Sequence, residues 1–321
     1  MMPFIVVILV LIVSYSSAGH DVPVVGILSE PIITIDNATE YMIAASYVKW
    51  LEVSGARSIP IPYDATSTQV DDIFSQIDGV LFPGGGGKSL PIAARHIWQL
   101  ANEQNAREGG SFPIWGTCLG FEYLLMLASE NDGILEGGFD AENISLPLHL
   151  HPSASYRSKL YAGIEYTVQT NNITLNNHGF GISPHRFGRN SRLTSMFHVT
   201  SINRDRQGRH FVSTIEPKDP KATPYYGVQY HPEKNAFEYA TYPGTDIPYE
   251  AIDHSPEGLM LTTHLGHFFV QLMRQSRKAR IAHPISYPQV YSYDRKLGMK
   301  FQEFYIIPSA VDGAKQDLLV A

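Results

Sequence analysis

Short apolar runs alternate with stretches of helical spacing through the first 130 residues of the chain. Residues 24–28 (VVGIL) form an uninterrupted apolar run, the pattern of a strand buried on both faces. Between residues 41 and 54, Ala44, Tyr47, Val48 and Leu51 recur at the spacing of one helix face, and Gly55 supplies a stop. The alternation continues with a strand at 58–61, a short helix at 70–77, a strand at 79–82, a helix at 91–107, a strand at 112–115 and a helix at 121–129. Strands that alternate with helices predict an α/β fold, a three-layer αβα sandwich around a mostly parallel central sheet. In the second half, residues 166–170, 198–203, 210–215 and 226–230 read as strands and 258–275 as a strong helix. No repeat or linker interrupts residues 19–321, which are expected to form a single domain.

The N-terminus departs from this rhythm. Residues 4–13 (FIVVILVLIV) are continuously apolar and are followed by Ser16, Ser17 and Ala18. Ten residues fall short of the ~20 that a bilayer span requires. The run fits the apolar region of a signal peptide over residues 1–18. Three Asn-X-Ser/Thr sequons follow, at Asn37, Asn143 and Asn172, and are expected glycosylation sites in a secreted or lysosomal/vacuolar protein. No further run approaches membrane-spanning length.

With 44% hydrophobic and 17% charged residues the chain is globular in composition. A net charge of −7 gives no basic face for nucleic acid. Cys118 is the only cysteine, so it is a reactive thiol, an intermolecular bridge or a buried filler.

Its surroundings favour the first. Gly116-Thr117-Cys118-Leu119-Gly120 lies between a predicted strand and a predicted helix. This G-x-C-x-G run matches the nucleophile elbow, a sharp turn that needs small residues on both sides of the nucleophile. A helix N-terminus directly after the cysteine favours the thiolate. His231, at the end of a predicted strand, is the candidate general base, and Glu233, two residues on, can reach one ring nitrogen. The backbone N–H of Leu119 is the natural first oxyanion donor, and the glycine run 84–87, with Gly85 as candidate, supplies the second. That run, followed by Lys88 and Ser89, does not satisfy the spacing of a phosphate-binding loop. The pairs His149/His151 and His264/His267 lack a completing ligand set, so no metal and no cofactor is expected.

Three stretches, F-P-G-G at 82–85, P-I-W-G-T-C-L-G-F-E at 113–122 and Y-G-V-Q-Y-H-P-E at 226–233, resemble the class I glutamine amidotransferase-like hydrolases, and Y-M-I-A-A-S-Y-V-K at 41–49 with residues 115–122 and 227–234 resembles the gamma-glutamyl hydrolase family among them. The likeness extends from about residue 24 to 307. It implies Cys118 as nucleophile, His231 as general base and acid, Glu233 as its partner and His178 as a substrate-binding residue. The spacing alone reads His178 as a loop histidine, and Arg186 nearby is a candidate for substrate carboxylates. The resemblance also implies a small-molecule substrate, the gamma-linked glutamate tail of folylpolyglutamates, and leaves a homodimer open. A glutaminase-type amidotransferase subunit and a non-catalytic secreted binding protein are the alternatives.

Overall fold

The computed structural model describes residues 22–33, 39–87, 89–150, 157–277, 286–298 and 301–310. The expected signal peptide, Asn37 and His151 lie outside them. The chain begins β1 (Val24–Leu28), β2 (Glu30–Ile33), β3 (Thr39–Ala44), α1 (Ala45–Val53), β4 (Arg57–Ile61), α2 (Ser67–Phe74) and β5 (Gly79–Phe82). It continues α3 (Ile92–Asn105), β6 (Ile114–Thr117), α4 (Leu119–Ser129), β7 (Glu136–Leu146), β8 (His149–Leu150), α5 (Glu165–Thr170) and β9 (Thr174–Gly181). The remainder is α6 (Pro184–Gly188), α7 (Ser191–Met196), β10 (Phe197–Arg204), β11 (His210–Pro217), β12 (Tyr225–Val228), α8 (Lys234–Phe237), α9 (Pro256–Arg277), β13 (Arg295–Leu297) and β14 (Glu303–Ile307).

The central sheet has the order β4-β1-β5-β6-β12-β11-β10-β8. Its first five strands pair in parallel, and β11, β10 and β8 extend it antiparallel. The fold is therefore α/β with a mostly parallel central sheet. Side chains alternate across the pleat. Val24, Val80 and Ile114 enter a core shared with α2, α3 and α4. Val25, Leu81 and Trp115 enter a second core with α1 and α9. Two cores on opposite faces of one sheet make the αβα layering, and they explain the continuous apolar runs. A smaller sheet, β13-β14-β3-β2, brings the C-terminal hairpin beside the start of the chain. A β7–β9 ribbon stands apart from both.

Three local expectations change. Residues 41–44 are the end of β3 rather than the first turn of α1, because the ladder with β14 pairs Tyr41 with Ile307 and Ala44 with Phe304. Residues 166–170 are helical, with only Val168 buried. One buried position in that short segment matches a helix touching the core at a single point. Strand β12 stops at Val228, so residues 229–230 are not part of it.

Candidate active site

The turn from β6 into α4 carries Cys118. Its φ of 52° and ψ of −106° lie outside the regions open to ordinary side chains, a conformation that costs roughly 1–3 kcal/mol and persists only where its surroundings enforce it. The flanking glycines make it feasible. A Cβ on Gly116 would stand 2.5 Å from the Gly120 carbonyl oxygen, and one on Gly120 would stand 1.9 Å from that of Phe82. Cys118 N–H donates to Val228 O across to β12, and Gly120 N–H donates to Pro83 O. The elbow is thus tied to the strands on both sides. As the first residue of α4, Leu119 has no carbonyl one turn back to occupy its N–H.

His231 follows β12 and meets Cys118 at Gly84, where both side chains border the space a Cβ would fill. Its Nδ1 lies 2.7 Å from Glu233 Oε1, and the charge of the Cys118 sulfur acts on the ring. Both His231 and Glu233 are buried. Burial alone would push the imidazole toward its neutral form, but the Glu233 carboxylate and the Cys118 sulfur overcome it and raise the pKa to about 10. The pairing does not use extended backbone. Residues 232–233 turn into α8, and Glu233 has φ −70° and ψ −25°. The turn brings the carboxylate back to the ring by another route.

Tyr47 of α1 completes the arrangement. Its hydroxyl oxygen accepts the Gly84 N–H at 2.7 Å and lies 3.4 Å from His231 Nδ1. With Gly84 committed to Tyr47, Gly85 is the next amide in the loop. Tyr47 lies in the stretch 41–49 that carries the family resemblance, but its spacing reads only as a core aromatic on one helix face; its role depends on the packing of α1 against the strand ends.

Two chambers open from the thiol, and Cys118 and the loop 85–87 belong to both. One, of about 820 Å³, is walled by Glu30, Met42, His231, Lys234, Phe301 and Phe304. Lys234 is buried there, 2.5 Å from Glu250 and 4.8 Å from the Phe301 ring. Asn177 donates to the other oxygen of Glu250 at 2.6 Å. The second chamber, about 590 Å³, is walled by Leu119, Glu122, Tyr123, Asn177, His178 and Phe180.

His178 is a strand residue of β9, paired opposite Ala141, and is buried. Burial lowers its pKa to about 4, with the backbone oxygen of Phe180 opposing and the charge of His231 reinforcing the shift. The imidazole is therefore neutral, its Nδ1 is 2.7 Å from Phe180 O, and its Nε2 is buried without a partner. Glu122 did not emerge from the sequence. It lies one helical turn after Cys118, where residues i and i+4 share a face, and that spacing was the available signal. Burial raises its pKa to about 7, against a hydrogen bond from Gln229. Arg186 lies elsewhere: its guanidinium donates to Gly133 O, and it lines neither chamber. Asn143 and Asn172 are both exposed. His264 Nε2 meets Leu160 O and His267 meets Gln271. Among the described residues no three His, Cys, Asp or Glu side chains converge as a metal site.

The Peptidase C26 family model matches residues 23–233, a span that ends on Glu233. The chain is 33% identical over 318 residues to "Gamma-glutamyl hydrolase B" of Dictyostelium discoideum, covering 93% of this chain and 86% of that one. It is 32% identical over 300 residues to "Gamma-glutamyl hydrolase 1" of Arabidopsis thaliana, with 88% and 82% covered. To "Gamma-glutamyl hydrolase" of Homo sapiens it is 33% identical over 264 residues, with 79% and 78% covered. The solved glutaminase domain of Trypanosoma brucei CTPS with bound acivicin aligns at a TM-score of 0.46 and 15% identity, over 83% of this chain and 96% of that one. This chain belongs to the Peptidase C26 family of cysteine-type hydrolases.

Proposed function

We propose that the protein cleaves gamma-glutamyl amide bonds of folylpoly-gamma-glutamates through an acyl-enzyme on Cys118. The observation that carries this reading is a strained cysteine at a helix N-terminus, beside a buried His–Glu pair, at the junction of two chambers. Two chambers meeting at the thiol suit a chain bound on both sides of its scissile bond. The names of the relatives support the gamma-glutamyl linkage.

In this mechanism the Cys118 thiolate attacks the gamma-carbonyl carbon, and the carbonyl oxygen becomes an oxyanion. The N–H groups of Leu119 and Gly85 receive it. Protonated His231 gives its proton to the departing amine as the C–N bond breaks, leaving a thioester. Water then attacks the thioester while His231 takes its proton. The C–S bond breaks, the free acid leaves, and the thiolate and protonated His231 are restored. Glu233 holds the imidazole and stabilises its charged form. Neutral His178 offers Nε2 to the substrate. The direct test is glutamate release from a defined pteroylpolyglutamate, followed chromatographically. Cys118→Ala is expected to remove it entirely, and release at the wild-type rate by that variant would overturn the reading.

We also propose that residues 1–18 direct the chain into the secretory route, toward secretion or the lysosome or vacuole, with glycans on Asn37, Asn143 and Asn172. Exposure of Asn143 and Asn172 supports this. A loss of apparent mass on glycosidase treatment tests it.

A further inference from the structure

Glu30, at the start of β2, is a buried carboxyl that takes no part in the mechanism above. It lies against the glycine loop. A Cβ on Gly85 would stand 2.7 Å from Glu30 Cγ and 2.9 Å from Oε2, and one on Gly87 would stand 3.0 Å from the same Oε2. The carboxyl therefore occupies the space that side chains at 85 and 87 would need. It also belongs to the wall of the larger chamber, which contains Cys118 and His231.

Its polar partners are few. Tyr123 Oη, from α4, is 3.5 Å from Oε2, and the Tyr123 hydroxyl is equally far from Ser89 O. Oε1 is buried with no hydrogen-bond partner. Among the described residues no salt bridge reaches Glu30. Several titratable groups surround it. Tyr123 on α4 is flanked by Tyr63 and Glu122, which act on it electrostatically. Across the glycine loop stand Cys118, His231 and Tyr47. Lys234, already paired with Glu250, and Glu142 share the chamber wall, and on β3 Tyr41 interacts with Asp64. Burial raises the Glu30 pKa well above that of an ordinary glutamate, and the long Tyr123 contact, which favours the ionised form, offsets it only in part.

We propose that Glu30 is a positioning residue for this hydrolase: uncharged, its carboxyl packs beneath Gly85 and Gly87 and holds the loop that supplies the second oxyanion donor, and once ionised it no longer does so. The inference rests on the functional reading given above. Two effects follow from ionisation. A buried carboxylate with a single weak donor draws in water or other partners and displaces the loop. Its negative charge also opposes the oxyanion that forms on the other side of that loop.

The test is the pH profile of kcat/KM for glutamate release from pteroyldiglutamate, measured on the full chain. Wild-type activity is expected to fall as pH rises through the ionisation of Glu30. Glu30→Ala removes the packing and is expected to lose about tenfold or more at acid pH, the scale of a loop donor moved by a fraction of an ångström. Glu30→Gln keeps the shape without the charge. It is expected to recover most of that loss and to lack the fall assigned to Glu30, while the separate steps of Glu122 and His231 persist. Tyr123→Phe removes the one donor to the ionised form and is expected to move the fall to higher pH. Infrared difference spectra of wild type against Glu30→Gln give a readout independent of turnover, a protonated-carboxyl band that persists above the pH range in which an ordinary glutamate ionises and is absent from the variant. A pH profile unchanged in Glu30→Gln, or no such band, overturns the inference while leaving the functional reading intact. A wild-type chain that releases no glutamate at any pH removes both.

Discussion

Gly84 offers the sharpest test of the site because substituting it adds a single methyl group. In Gly84→Ala that methyl would stand 2.5 Å from His231 Cε1, 2.9 Å from Tyr47 Oη and 3.3 Å from Cys118 Cβ. The backbone accepts alanine, since the φ of Gly84 is outside the left-handed range. The effect is therefore steric. Ordinary contact begins at 3.4 Å, so the imidazole must retreat by about 0.9 Å. It has little room to do so, because Nδ1 is held by Glu233 and its backbone N–H by Leu175 O at 2.9 Å. A misplacement of ~1 Å in a reacting group typically costs about 10²-fold, equivalent to about 2.7 kcal/mol of barrier. The expected outcome is a kcat/KM for pteroyldiglutamate lowered by about two orders of magnitude, chiefly through kcat, with circular dichroism unchanged. Gly188→Ala, whose added methyl meets nothing within 4 Å, serves as the control. A folded Gly84→Ala protein with activity within about threefold of wild type would refute the geometry on which the argument depends.

Glu122 and His178 give two further predictions. The folded-state pKa of Glu122 is raised from 4.5 to about 7, so its ionisation weakens the fold above that range and its protonation relieves the penalty as pH falls toward 4.5. Glu122→Gln is expected to gain up to about 3 kcal/mol in urea unfolding at pH 8 and to lose most of that advantage near pH 4.5; an equal gain at both pH values counts against burial as the cause. His178, held neutral with a pKa of about 4, is expected to show imidazole NMR shifts that stay constant from about pH 5.5 to 8, the range in which an ordinary histidine titrates. A midpoint within that range would contradict its burial.

Much of the larger sheet was legible because its strands are local and buried on both faces. The runs at 24–28 and 79–82 coincide with β1 and β5. Helix α9 extends two residues beyond the predicted 258–275 at each end. The β7–β9 ribbon and the β2–β3–β14–β13 sheet were not legible. Their burial is partial and broken by bulges, as at β7, where the buried positions are Phe139 and Ala141. An alternation that weak does not stand out along the chain. The smaller sheet also joins residues 30–44 to 295–307, a pairing no local window contains.

The sequence by itself determined the elbow, since G-x-C-x-G needs only the contacts of its own turn and the two strands beside it. It also placed a histidine and an acid two residues apart, although the turn that joins them differs from the extended geometry the spacing suggested. Tertiary structure decided which groups share the thiol's surroundings. Tyr47, Glu122, His178 and Glu30 come from α1, α4, β9 and β2. Each is a common residue in a common setting until packing buries it. Burial is what makes His178 neutral, raises Glu122 toward neutrality and leaves the Glu30 carboxyl under the glycine loop. Desolvation depends on everything that surrounds a group, and those surroundings are assembled from distant parts of the chain.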